Sequence, residues 1–106
     1  MKYSFAFVFT ILSFYSFAQD QWKNVYTESA WNERDKWQKA DELIRQLNIK
    51  SGSKVADVGS HEGYMTMKLS AAVGNTGKVL AVDVSQSKLD KLKDHLTKRG
   101  ISNVEL

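Results

Sequence analysis

Cysteine is absent from this 106-residue chain, and its absence excludes disulfide bonds, thiolate-ligated metals and a cysteine nucleophile. The sequence also has no cluster of His, Asp and Glu at metal-ligand spacing, no internal repeat and no low-complexity tract. The remaining composition is ordinary, with 42% hydrophobic and 25% charged residues. It predicts a compact globular domain, and neither disorder nor a fibrous repeat.

A basic block is lacking as well, although the net charge is +3 and the isoelectric point is about 9.2. Lysine and arginine are interleaved with aspartate and glutamate along the predicted helices. Such interleaving is typical of solvated helix faces, so the charge gives no strong indication of a nucleic-acid partner.

The N-terminal segment has the parts of a secretory signal peptide. Lys2 gives a basic start, an apolar stretch runs to Phe17, and the small residues Ser16 and Ala18 fit a cut after Ala18. The apolar stretch is shorter than the roughly 20 residues that span a membrane, so we expect no permanent anchor. Residues 1–18 are thus predicted to direct export to the periplasm or the medium. A non-functional signal would leave the protein in the cytoplasm.

Residues 19–48 are predicted to form an N-terminal helical extension. Apolar side chains recur at steps of three and four between residues 31 and 47, which is the periodicity of an amphipathic helix. Trp37 belongs to this helix, where it would either line a ligand site or fill the core.

The rest of the chain alternates apolar runs with helical segments. Strands are predicted near residues 55–58 and 79–82. One helix is predicted near residues 63–73, and another from a cap at Ser85 or Ser87 to Arg99. Residues 103–106 have the pattern of a third strand. This alternation predicts a parallel sheet with right-handed crossovers. The expected fold class is α/β, a Rossmann-like doubly wound parallel sheet that is incomplete, at about its first half, and preceded by the amphipathic helix.

The most informative feature is the run VADVGSHEGY at residues 55–64, where an apolar strand breaks into a glycine-bearing loop that opens a helix. Asp57 precedes this loop, and Asp83 ends the next strand. Ligands of doubly wound sheets bind outside the carboxyl ends of the strands, so both acids are expected at one edge. Asp83 is placed to accept hydrogen bonds from ribose hydroxyls. Asp57 would either hold the loop amides or reach a cationic amine.

The loop spacing excludes two nucleotide-binding motifs. The dinucleotide fingerprint G-x-G-x-x-G would need glycines where His61 and Tyr64 stand, and no Gly-Lys-Ser or Gly-Lys-Thr follows the strand. What remains is a site for a nucleoside with an amino-acid-like tail. Gly59 would allow the sharp turn, Gly63 would let the helix start approach the ligand, and the helix-start amides would offer donors for a carboxylate.

This loop resembles the first motif of the class I S-adenosylmethionine-dependent methyltransferases, an apolar strand followed by Asp-x-Gly-x-Gly-x-Gly. Asp57, Gly59 and Gly63 match the motif, and His61 stands in place of its middle glycine. Asp83 matches the ribose-binding acid of the family. The segment RDKWQ that begins at residue 34 is also similar to one that precedes the motif in some of these enzymes.

The resemblance implies that residues 49–106 are part of a methyltransferase domain with S-adenosyl-L-methionine as cofactor. The methyl acceptor and the catalytic residues are not identified by the matching segments, and no metal is implied. The residues implied for cofactor binding are Asp57, Gly59, Ser60, His61, Gly63, Tyr64, Asp83 and Val84.

Other interpretations remain open. The chain could be a non-catalytic exported fragment or binding module that retains the nucleoside-binding loop, while the failed fingerprint disfavours a nicotinamide oxidoreductase. A lone His61 is more simply a packing or hydrogen-bonding residue than a catalytic base. Glu62 is a candidate for the pocket wall, but solvent exposure is the expected outcome for it.

The export prediction has a direct test. Mass spectrometry of the protein purified from its cells should give a mature chain that begins at Gln19, because signal peptidases cut after small residues such as Ala18. A chain that still begins at Met1 or Lys2 would rule the cleavage out.

Overall fold

The computed structural model describes residues 26–106, so the predicted signal segment, residues 1–18, lies outside the described residues. A 3-10 turn at Glu28–Ala30 opens this part of the chain. The elements that follow, in chain order, are α1 (Trp31–Gln38), α2 (Ala40–Gln46), β1 (Lys54–Val58), α3 (Tyr64–Val73), β2 (Lys78–Val82), α4 (Gln86–Arg99) and β3 (Val104–Glu105).

The prediction of one continuous amphipathic helix over residues 31–47 is wrong. Lys39 adopts the left-handed conformation, with φ 51° and ψ 49°, and separates α1 from α2. Ile44 of α2 packs against the buried core at Leu69 and Val73. Trp37 remains outside that core with 54% of its surface exposed. Packing therefore outweighs the left-handed strain at Lys39.

The three strands form one parallel sheet in the order β1-β2-β3. Val79 of the central strand lies opposite Val55 on one side and Val104 on the other. Each pair of neighbouring strands is joined by a helix, as parallel strands require. The predicted α/β class with a Rossmann-like parallel sheet is therefore confirmed, and the chain contains part of that fold.

The helices cover one face of the sheet. Along β2, Val79 and Ala81 point to this face and are buried, whereas Leu80 and Val82 point to the other face and are each 42% exposed. The alternation follows from the two-residue period of a strand. Two groups of buried side chains form the core between sheet and helices: Leu69, Val73 and Val79 in one, and Ala81, Leu92 and Leu96 in the other.

Gly63 is required where α3 meets α4. It caps the start of α3 with a φ of 105°, a conformation that residues with a Cβ adopt only with strain. A Cβ at this position would lie 2.3 Å from Cδ1 of Leu92, which is fully buried. Close helix packing, and not the approach of a ligand, is therefore the observed reason for this glycine.

We expect Gly63→Ala to lower the free energy of unfolding by about 2–4 kcal/mol, because backbone strain adds to overpacking against Leu92. Gly100→Ala is the matched control. Gly100 also has a positive φ, 63°, but no atom lies within 4 Å of the place that its Cβ would occupy. That variant should lose only about 1 kcal/mol. Chemical denaturation measures both values, and equal losses would contradict the proposed clash.

Candidate functional site

An open cleft of about 420 Å³ lies at the carboxyl ends of β1 and β2. Asp57 reaches it from β1 and Asp83 from the end of β2, so the structure brings the two acids to one site. The other residues that line the cleft are Tyr26, Arg34, Val58, Gly59, Ser60, His61 and Met65.

Backbone hydrogen bonds fix the loop against the end of β2. The N–H groups of Gly59 and Ser60 both donate to the carbonyl oxygen of Val82, at 2.7 and 3.0 Å. The N–H of Gly63 donates to the carbonyl oxygen of Ser60 at 3.0 Å. Gly59 has a φ of 82° and nothing within 4 Å of a would-be Cβ, so its need for glycine is conformational.

Asp83 holds the loop from the other side. Its Oδ2 accepts the N–H of His61 at 2.8 Å, and its Oδ1 accepts the N–H of Ser85 at 2.9 Å. The hydrogen bonds from Ser85 and then His61 lower the pKa of the Asp83 carboxyl below its ordinary value, which favours the carboxylate. Because a carboxylate offers about four acceptor positions, it retains capacity for ligand hydroxyls.

Asp57 contacts α3 instead of the loop. Its Oδ2 accepts the hydroxyl of the fully buried Thr66 at 2.7 Å. The loop amides, one of the two roles open to Asp57, are held by Val82 and Asp83. The second role, contact with a cationic amine of a ligand, is compatible with the position of Asp57 in the cleft wall.

His61 adopts the left-handed conformation expected of the glycine that it replaces, with a φ of 52°. Its ring packs 5.5 Å from the ring of Tyr26, and its buried Nδ1 has no hydrogen-bond partner in the described part of the chain. Burial, followed by the positive charge of Lys88, lowers the pKa of His61. The imidazole is therefore neutral at pH 7 and contributes its backbone amide to the loop.

Three of the residues implied for cofactor binding do not line the cleft, namely Gly63, Tyr64 and Val84. Tyr64 is buried, and its hydroxyl donates to Oδ1 of Asp35 at 2.7 Å, within a separate cavity of about 740 Å³. Burial, together with the hydrogen bond to Asp35, raises the pKa of Tyr64 to about 12. Val84 is fully exposed beyond the end of β2.

The expectation that Glu62 is exposed is wrong, because only 5% of its side chain is accessible. Its carboxylate accepts the N–H of Glu28 at 3.1 Å and Nζ of Lys91 at 3.2 Å, and Nζ of Lys88 lies 3.6 Å away. Burial raises the pKa of Glu62, but these hydrogen bonds and lysine charges together outweigh it and leave the pKa below its ordinary value. The two lysines, three residues apart on α4, were the signal available in the sequence.

Tyr26 and Arg34 were not predicted as site residues, yet both line the cleft. The Arg34 guanidinium lies 4.3 Å from the ring centroid of Tyr64 and 5.0 Å from that of Tyr26. The segment that begins at residue 34 was the available signal. Neither role open to Trp37 is observed, since Trp37 is exposed and lies outside the cleft lining.

The cleft suits a polar organic ligand. Ser60 is buried, and its hydroxyl has no hydrogen-bond partner in residues 26–106. An unpaired buried hydroxyl is unfavourable, and a ligand in the cleft would satisfy it.

Within residues 26–106, no group of three His, Asp or Glu side chains could hold a metal ion. No helix there is long and apolar enough to cross a membrane.

The lowered pKa of His61 predicts a pH dependence. As the pH falls below the ordinary histidine pKa of 6.5, the unfolded chain takes up a proton before the folded one does, so the free energy of unfolding decreases. Proton NMR should place the midpoint of the His61 ring below 6.5. His61→Asn, which also tolerates a left-handed φ, should weaken the loss of stability between pH 7 and 5. His95→Asn serves as the matched control, and it should retain the part of the stability loss between pH 7 and 5 that is due to His61. A His61 midpoint at or above 6.5 would contradict the prediction.

Comparison with known proteins relates this chain to methyltransferases in both sequence and structure. The ubiE/COQ5 methyltransferase family matches residues 11–106. Demethylmenaquinone methyltransferase of Staphylococcus saprophyticus is 43% identical over 51% of this chain, and that of Geobacillus stearothermophilus is 35% identical over 67%. The chain spans 22% and 30% of the length of these two relatives.

A SAM-dependent methyltransferase structure from Aquifex aeolicus is similar to this fold. It superposes with a TM-score of 0.60 and 33% identity, over 63% of this chain and 36% of that one. The resemblance to class I methyltransferases and the predicted cofactor, S-adenosyl-L-methionine, are therefore confirmed. The chain is therefore a member of the ubiE/COQ5 methyltransferase family.

Proposed function

We propose that this chain forms the cofactor-binding part of a methyltransferase whose acceptor is a ring carbon of a quinone precursor. The cofactor assignment is carried by the cleft in which Asp57, Ser60 and Asp83 meet. The acceptor class is supported by relatives described as demethylmenaquinone methyltransferases and as ubiquinone/menaquinone biosynthesis C-methyltransferases.

Each of the polar cleft residues is placed to contact a different part of the ligand. Asp83 has acceptor positions left for the ribose hydroxyls after binding two amides. Ser60 offers its unpaired hydroxyl, and Asp57 has a carboxylate oxygen, Oδ1, beyond the one bound by Thr66. A carboxylate suits a cationic amine. When bound, S-adenosylmethionine supplies an electrophilic methyl group on its sulfonium sulfur.

The contribution of the chain to catalysis is positioning. The loop is fixed by the carbonyl of Val82 and the carboxylate of Asp83, so the ligand meets a preformed surface. Holding reactants in a productive geometry can account for about 7–11 kcal/mol of a barrier. This contribution needs no titratable catalyst in the loop, in agreement with a neutral His61.

We expect the full chain to bind S-adenosylhomocysteine in isothermal titration calorimetry. Asp83→Asn should weaken this binding about 10- to 100-fold, because it removes a charged acceptor for the ribose hydroxyls. Asp90→Asn is the matched control, since Asp90 is exposed on α4 and accepts only the side-chain amide of Gln86 within the described residues. Thermal unfolding of both variants would separate a loss of binding from a loss of fold. No heat with the wild-type chain would overturn the proposal.

A second measurement separates the enzyme from the non-catalytic binding module. Transfer of a radiolabelled methyl group to a demethylated quinol would support the enzyme and its acceptor class. Binding of S-adenosylhomocysteine without transfer to any such quinol would favour the binding module.

A further inference from the structure

The side chains that line the cleft carry charges of both signs, and one of them can change its charge near neutral pH. Asp57 and Asp83 are acidic, and Arg34 is permanently cationic. His61 lines the same cleft, and histidine is the side chain whose ordinary pKa lies closest to pH 7. The electrostatic character of the cleft therefore depends on the state of this imidazole.

The loop amides are not free to change this character. The N–H groups of Gly59, Ser60 and Gly63 donate to carbonyl oxygens of the chain, and that of His61 donates to Asp83. These four donors are already in use, contrary to the expectation that the amides at the start of the helix would be offered to a ligand. The charge that a ligand meets in the cleft is accordingly set by side chains.

Four charged groups face the imidazole of His61. Lys88 of α4 and Arg34 of α1 disfavour its protonation, whereas Glu62 beside it in the loop and Asp83 at the end of β2 favour it. Burial is the largest effect, and it lowers the pKa of His61 below the ordinary value. The ring is therefore neutral at pH 7 and takes up its proton only in more acidic solution.

A proton on this ring would bring an unpaired charge into the cleft wall. Nδ1 of His61 is buried and has no hydrogen-bond partner within the described residues, and the closest ring is that of Tyr26, 5.5 Å away between centroids. The carboxylate of Asp83 binds the backbone N–H of His61 and not its ring. No hydrogen-bonded carboxylate would therefore neutralise the imidazolium.

We propose that the imidazole of His61 makes the preference of the cleft for a cationic methyl donor over its neutral product depend on pH. The inference rests on the proposed function of the cleft. S-adenosylmethionine carries a sulfonium, and S-adenosylhomocysteine, which remains after methyl transfer, has an uncharged sulfur in its place. In a cleft of about 420 Å³, the sulfur lies within about 10 Å of the lining side chains, which is one Debye length at 0.1 M salt. An imidazolium thus repels the sulfonium of the donor, while every other charge is common to both ligands.

The effect depends on a side chain that the motif of the family does not have. His61 stands in place of the middle glycine, and glycine carries no titratable group. The neutral ring at pH 7 tolerates the donor. In acidic solution the product competes better with the donor for the cleft, so methyl transfer becomes more sensitive to inhibition by its own product.

Isothermal titration calorimetry on the full wild-type chain tests the proposal with both ligands at pH 7 and pH 5. The ratio of the affinity for S-adenosylmethionine to that for S-adenosylhomocysteine should fall about 2- to 10-fold between these two pH values. Partial unfolding at the lower pH cancels in the ratio, because both ligands bind the folded chain. A ratio that is the same at pH 7 and pH 5 would overturn the proposal.

His61→Asn keeps the backbone amide but has no titratable ring, so its ratio should not change with pH. His95→Asn is the matched control, because His95 is the other histidine of the chain and lies outside the cleft lining. Its ratio should fall as in the wild type. A fall that persists in His61→Asn contradicts the proposal and assigns the effect to Asp57 or Asp83. If His61→Asn binds neither ligand, His61→Gly, which restores the residue of the family, is measured in its place.

Proton NMR of the wild-type chain gives a readout that needs no variant. Because linkage is reciprocal, the midpoint of the His61 ring titration should be about 0.3 to 1 pH unit lower with S-adenosylmethionine bound than with S-adenosylhomocysteine bound. Equal midpoints in the two complexes would refute the role of His61 and leave nucleoside binding intact. If the wild-type chain binds neither ligand, the proposed function itself fails.

Discussion

The carboxylate of Asp83 joins the two parts of the chain on which the cleft depends. It accepts one amide from the loop after β1 and one from the start of the segment that leads into α4. Both acceptors lie at the end of the central strand, so the position of the loop is set by the sheet. Charged acceptors form stronger hydrogen bonds than neutral ones, which favours a single loop conformation. The remaining contacts of the cleft build on this fixed point.

The loop shows why its positions tolerate different residues. Gly59 needs a φ of 82° and lies against open space. At Gly63, by contrast, Leu92 leaves no room for a Cβ. At His61 the φ of 52° lies in the small left-handed region that histidine enters more readily than most residues. The loop uses only the backbone amide at that position, and the ring packs against Tyr26. A side chain in place of the family's middle glycine is therefore compatible with the same loop.

The parts of the fold predictable from the sequence are those governed by local patterns. Strand periodicity and the glycines that end the helices gave the elements, and the rule for parallel sheets brought Asp57 and Asp83 together. The left-handed Lys39 had no local signal, since lysine rarely adopts that conformation. The places of Tyr26 and Arg34 depend on how the N-terminal segment docks onto α3, which is a tertiary property.

The buried carboxylate of Glu62 links the protein surface to access to the cleft. It holds the 3-10 turn through the amide of Glu28, and Tyr26 in the cleft wall lies two residues before that amide. One of the charges that stabilise Glu62 belongs to Lys91, whose side chain is 57% exposed. Neutralising this lysine would leave a poorly compensated buried anion and favour local opening of the turn. Amide hydrogen exchange at residues 26–30 would then report on a charge on the outer face of α4.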